Sequence, residues 1–239
     1  MFSDHLAGLN PEQLRAVTLG AGSALVLAGA GSGKTRVLTT RIAWLIANQR
    51  AMAANIMAVT FTNKAAREMH TRLSAMLPLN PRGMWIGTFH GLANRFLRAH
   101  WRDAGLPQTF TILDMQDQLA AIKRLMKALQ VSDEKFPPRQ VQAFINNHKE
   151  QGLRAEALKP YDAFNAKLTE LYAAYDAQCR REGVVDFAEL LLRSYEMLNS
   201  NEALREHYRA RFSHILVDEF QDTNKLQYAW LCLFAGPHA

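Results

Sequence analysis

The eight residues AGAGSGKT, at 28–35, restrict the architecture open to this chain more than any other stretch of its sequence. Their three glycines let the backbone curl, so that successive N–H groups point into one concavity and form a nest for anionic oxygens. An apolar run, SALVLAG (23–29), precedes the loop and reads as a buried strand. After it, 34–48 carries Leu38, Ile42 and Leu45 at helical spacing. Strand, glycine loop and helix in that order aim the positive end of the helix at the same concavity. Lys34 adds a point charge for terminal phosphates, and the Thr35 hydroxyl is a ligand for Mg²⁺. The pattern assigns Ala28, Gly29, Ala30, Gly31, Ser32, Gly33, Lys34 and Thr35 to a grip on the phosphates of ATP. Ala28 stands where such loops usually begin with glycine, a position at a strand end that tolerates a small side chain. The plain alternative is a flexible surface loop.

The flanking pattern extends the argument. NIMAVTF (55–61) and MWIGTF (84–89) read as two further buried strands, and 63–77 as a helix with Ala65, Met69, Leu73 and Met76 as its stripe. Alternating strands and helices imply a parallel sheet covered by helices on both faces. From His90 to about Arg211 the pattern turns helical, with almost no strand. Asp114 is placed to cap a helix, Pro137 and Pro138 open another, a long helix follows from about Asp162, and Asp186 with Glu189 forms a capping-box-like start for 187–198. HILVDEF (214–220) then restores strand character. The expected fold is therefore an α/β domain interrupted by an all-helical insertion. A sheet that stops so soon after its fourth strand looks unfinished.

LVDEFQDTN (216–224) supplies the second chemical cluster. Adjacent carboxylates at the C-terminal end of a buried strand lie where a doubly wound sheet places ligand chemistry. Asp218 is assigned to Mg²⁺, Glu219 to orienting and deprotonating an attacking water, and Gln221 to sensing the γ-phosphate. Asp222 adds a further carboxylate. Taken alone, the segment also fits a solvated acidic turn.

Bulk properties narrow the class. The formal net charge is +6, and residues 1–87 hold nine Lys or Arg against three Asp or Glu, a balance that suits a polyanionic partner. Cys179 and Cys232 have no zinc or disulfide spacing around them and read as two buried small hydrophobes. The first residues lack a secretion signal, and no apolar run is long enough to span a membrane, so a cytoplasmic protein is expected.

AGAGSGKTRVL, MAVTFTNKAA, GTFHG, VVDFAELLL and ILVDEFQDTN, in this order, together resemble the UvrD/Rep/PcrA family of superfamily-one DNA helicases over essentially the whole chain. The resemblance implies a P-loop NTPase of RecA-like fold. Residues 1–89 and 212–239 would form the first motor domain, and 90–211 an inserted helical subdomain. It implies that Gln13 reads the adenine edge and that Arg36 stacks on adenine. Phe61, Thr62, Asn63, Lys64, Thr88 and His90 would hold single-stranded DNA. Phe61 offers a ring on which a base can stack, and the polar side chains suit phosphates and sugars. Asp186 and Phe187 match a further family motif, although capping explains Asp186 equally well. The implied activity is ATP-dependent 3′-to-5′ translocation on single-stranded DNA and its junctions with duplex, in nucleotide excision and mismatch repair, alongside DNA repair proteins and at the nucleoid. The family continues with a second motor domain that closes on ATP. This chain would therefore hold one wall of the site, bind nucleotide and DNA weakly, and be inactive as a helicase. Two other readings remain open: a non-catalytic DNA-binding or nucleotide-sensing module, and a P-loop kinase or ATPase unrelated to DNA. The retained Glu219 speaks against the first, and the basic first third with the Phe61 segment against the second.

Overall fold

A computed structural model of the chain describes residues 3–20, 22–29, 31–78 and 83–236. Among the described residues five strands lie in two parallel sheets, and the chain divides into two compact units. The first comprises 1–92, 201–223 and 231–239, and the second 93–200 and 224–230.

The first unit is built on β1 (Ile56–Thr60), which pairs in parallel with β2 (Trp85–Thr88) on one side and β5 (His214–Val217) on the other. All five residues of β1 are buried, as expected of a central strand covered on both faces. On one face lie α2 (Pro11–Thr18), α3 (Lys34–Ala47) and α4 (Asn63–Met76), which bring Val17, Ile42, Leu45, Met69 and Leu73 against Ile56, Ala58 and Ile86. On the other, Trp85 meets Tyr208 of α10 (Glu202–Arg211), Phe212, and Phe234 at the end of α11 (Lys225–Phe234), with ring centroids 5.2–6.5 Å apart. A short helix, α1 (Ser3–Ala7), precedes these elements. Helix α10, expected within the helical insertion, thus falls in the first unit.

The expected strand at 23–29 is not formed. The segment has no regular secondary structure and takes no place in either sheet, and Leu25, Val26 and Leu27 are exposed. Strand sequence supplies the apolar side chains, but a strand exists only through a ladder with a neighbour, and none of the described residues offers one here. Among the described residues the sheet therefore has three strands rather than four.

The second unit has its own core, in which α6 (Met115–Ala128), α7 (Pro138–Glu150) and α8 (Ala163–Glu182) bury Ile122, Ile145, Leu171, Tyr172 and Tyr175. Asp114 accepts N–H bonds from Gln116 and Asp117, Asp162 accepts one from Asn165, and Gly183 ends α8 in the left-handed conformation at φ 66°. The insertion is not all-helical. β3 (Thr111–Leu113) and β4 (Val184–Asp186) pair in parallel, two runs too short to show the period of a strand in the sequence. Helix α9 (Phe187–Ser200) follows β4 directly, and α5 (Phe89–Ala99) follows β2. Asp186 caps α9 through the Glu189 N–H at 2.8 Å, but the reciprocal half of the box is missing. The Glu189 carboxylate turns inward to Lys149, Arg154 and Arg193 instead. Cys179 is buried as expected, whereas Cys232 is exposed on α11. No helix among the described residues is long and apolar enough to cross a membrane.

Candidate functional site

The site belongs to the first unit and forms at the C-terminal edge of its sheet. The register sets Thr60 beside Thr88 and Val59 beside Val217, so 61–64, 88–90 and 218–221 all emerge at that edge. The glycine loop meets them there. Gly31 and Gly33 take φ of 75° and 85°, a left-handed region that a side chain would resist, and α3 starts immediately after. Its first N–H groups and its dipole face the loop. Lys34 Nζ lies 3.3 Å from the carbonyl oxygens of both Ala28 and Gly29, and 3.9 Å from Glu219 Oε1. Ser32 Oγ donates to the Gly29 carbonyl at 2.7 Å. Ala30 lies outside the described residues.

The two chemical clusters of the sequence meet in one contact. Thr35 Oγ1 donates to Asp218 Oδ2 at 3.0 Å across 183 residues of chain. Asp218 is buried, and its N–H extends the ladder by donating to the Val59 carbonyl at 2.9 Å. Hydroxyl and carboxylate oxygens at this spacing are the hard donors Mg²⁺ takes, with water and phosphate completing its shell. Glu219 adopts φ 51°, an uncommon conformation for a side-chain-bearing residue, which is stored strain of about 1–3 kcal/mol. That turn sets its carboxylate opposite Lys34, where the Gln221 amide also donates to it. Asp222 is exposed.

Gln13 sits three residues after Asn10 in a complete capping box: Asn10 Oδ1 accepts from the Gln13 N–H, and Gln13 Oε1 accepts from the Asn10 N–H at 3.0 Å. Its Nε2 donates to the Ser32 carbonyl at 2.9 Å. The side chain therefore ties α2 to the phosphate loop, leaving one N–H and one lone pair for a base edge. Arg36 is exposed, and its guanidinium lies against the Gly8 backbone, where a Cβ would come within 2.6 Å of it.

Phe61 is half-buried and packs edge-to-face on Phe89 at 5.4 Å, so only part of its ring is left for a base. Thr62 caps α4 by accepting from the Ala65 N–H at 3.1 Å, and Thr88 Oγ1 accepts from the Gly91 N–H at 3.1 Å. Each hydroxyl keeps its own hydrogen to donate to a phosphate. Asn63 and Lys64 are exposed in the first turn of α4. His90 is half-buried, and burial lowers its pKa, which favours the uncharged imidazole, a hydrogen-bonding group.

Comparison with known proteins decides the family. Residues 9–239 match the model of the UvrD/REP helicase N-terminal domain. The chain belongs to that family. It is 52% identical to DNA helicase II of Escherichia coli strain K12 over 97% of its own length and 32% of that protein's. To the ATP-dependent DNA helicase PcrA of Bacillus subtilis strain 168 it is 39% identical, over 93% of this chain and 30% of the relative. The chain thus spans about a third of these relatives. The family is of the P-loop NTPase class, in keeping with the parallel sheet and glycine loop.

Two residues of the site were not evident from the sequence. A cavity of about 580 Å³ opens over Gly31, Gly33, Lys34, Thr35, Arg36 and Glu219, and α4 completes its wall with Arg72 and Met76. Met76 reads as part of the core stripe, and nothing in the sequence singles out Arg72.

Proposed function

We propose that this chain is the nucleotide-binding part of an ATP-dependent DNA helicase, a motor that moves 3′-to-5′ on single-stranded DNA in nucleotide excision and mismatch repair, in the cytoplasm and at the nucleoid. The Thr35–Asp218 contact carries the reading, because it brings the phosphate loop and the acidic strand end into one site. The names of the relatives support the substrate, ATP and DNA.

The residues divide the work. Loop N–H groups and the start of α3 receive the phosphate oxygens, and Lys34 exchanges its two carbonyl contacts for them. Thr35 and Asp218 would hold Mg²⁺, which would neutralise charge developing on the phosphates. Glu219 takes a proton from the attacking water, and Gln221, whose amide donates to that carboxylate, senses the γ-phosphate. Arg36 and Gln13 face the nucleoside. Phe61, Thr62, Asn63, Lys64, Thr88 and His90 form the DNA track along the same sheet edge, so ATP-driven movement at one end of the edge reaches the strand at the other. The first unit serves as the first motor domain and the second as its inserted subdomain, so α10 goes with the motor rather than with the 90–211 insertion expected from the sequence. In the longer protein a second motor domain and DNA repair proteins complete the machine; this chain alone binds both ligands weakly and does not unwind duplex.

Calorimetric titration with Mg-ATP tests the nucleotide site. Lys34→Ala is expected to lower affinity by about tenfold or more with no loss of thermal stability, since charge-assisted contacts to phosphate are the strong ones. Unchanged affinity removes the phosphate assignment. Anisotropy of a labelled oligothymidine over a salt series tests the track: binding should weaken with salt and fall further in Phe61→Ala. In the longer protein, Glu219→Gln should keep ATP binding and stop turnover, and normal turnover there would reject Glu219 as the base.

A further inference from the structure

The wall that α4 gives to the nucleotide cavity has no role in the site as described so far. Glu68, Arg72 and Met76 recur every four residues and so follow one line along the helix. The neighbouring line, Met69 and Leu73, is fully buried in the core and fixes the rotation of the helix. That rotation turns Arg72 toward the cavity, with its side chain 37% exposed and its guanidinium donating to Glu68. Glu68 lies one turn back along the helix, outside the cavity lining.

The charge of the cavity is what gives this placement meaning. Its lining carries Lys34, Arg36 and Arg72 against the single carboxylate of Glu219. Two cations are in excess, which fits a polyanion. A guanidinium has five donors in a planar fork, and Glu68 does not use them all, so donors remain for phosphate oxygens. Met76 adds an apolar, polarizable surface beside them.

We propose that Arg72 is a nucleotide-contacting residue, which reaches from α4 to the phosphate chain of a bound nucleoside polyphosphate and steadies it opposite the glycine loop. The assignment rests on the nucleotide reading given above. It makes the grip two-sided: the loop and α3 hold the phosphates from one side, and α4 from the other.

The test is a calorimetric titration of this chain with Mg-ATP at low and at high salt, for the parent protein, Arg72→Ala and Arg72→Lys, beside a thermal melt of each. Arg72→Ala should lower affinity about tenfold at low salt, with a smaller loss at high salt, because a charge contact is screened. Arg72→Lys should recover part of the loss by restoring the charge without the fork. The melting temperature should stay unchanged, because Arg72 is half-exposed. Unaltered affinity in Arg72→Ala, or a loss that is the same at both salt concentrations, overturns the contact with phosphate. A loss matched by a lower melting temperature overturns it in favour of a structural role for Arg72. A parent protein that fails to bind Mg-ATP at all overturns the nucleotide reading itself, and Arg72 with it.

Discussion

The phosphate loop depends on backbone shapes that single residues decide. Gly33 sits at φ 85°, and a Cβ there would lie 3.3 Å from Gln13 Nε2. Gly33→Ala should therefore cost about 1–2 kcal/mol of stability for the left-handed backbone and push Gln13 off Ser32. Urea unfolding and a Mg-ATP titration would register both effects, and a variant that matches the parent in both would refute the strain argument. Residues of this kind were legible in the sequence, because glycine, lysine and threonine at fixed spacing carry their conformational and chemical meaning locally. Arg72 was not. An arginine four residues after a glutamate reads as an ordinary surface pair on a helix, and only the neighbouring loop makes it part of a site.

At the level of elements, burial separates segments that look alike as sequence. Leu27 and Leu73 both lie in apolar patterns, yet Leu27 is 84% exposed and Leu73 fully buried. Leu73→Ala should cost about 2–5 kcal/mol, while Leu27→Ser should change stability by less than about 0.5 kcal/mol. Equal costs in chemical denaturation would mean that 23–29 is packed after all. The second unit holds a more demanding arrangement. Lys149 is buried with Nζ 2.9 Å from Asp176, Asp186 and Glu189, and Arg154 joins Asp176, Glu189 and Glu196. The Tyr175 hydroxyl also donates to Asp186, and Arg193 to Glu189. Burial alone would raise the pKa of Glu189, but Lys149, Arg154 and Arg193 outweigh it and hold the carboxyl well below the usual range. A carboxyl lowered in this way contributes stability above its unfolded value of about 4.3, and the contribution is lost as pH falls through the folded value. Lys149→Met should then cost about 3–5 kcal/mol at neutral pH, because it leaves buried carboxylates unpaired, and should move acid unfolding to higher pH. An unchanged acid midpoint would show that the network does not govern the acid limb. This network also accounts for the motif VVDFAELLL in structural terms, since Asp186 and Glu189 both point into it.

For the whole molecule, two compact units with separate cores set the expectation for unfolding. Denaturation should depart from a single two-state transition. Mg-ATP should stabilise the transition of the first unit by mass action, and Lys149→Met should lower that of the second. Circular dichroism combined with hydrogen exchange would separate the two, and a single transition shifted equally by both changes would rule out independent cooperativity. The net charge of +6 adds that binding to DNA should weaken as salt rises, whichever residues form the track.

Local chemistry wrote much of this protein into its sequence. The glycine loop, the caps at Asp114, Asp162 and Asp186, the left-handed stop at Gly183 and the apolar periods of α3 and α4 each depend on residues within a few positions of one another. Other features needed distant segments to meet. Thr35 reaches Asp218 only because β5 pairs with β1, Lys149 finds its carboxylates on three other elements, and SALVLAG stays outside the sheet because no described strand offers it a ladder. Dihedral preference and capping are settled within a turn of chain. Pairing, burial and charge compensation are settled by whichever part of the chain arrives alongside.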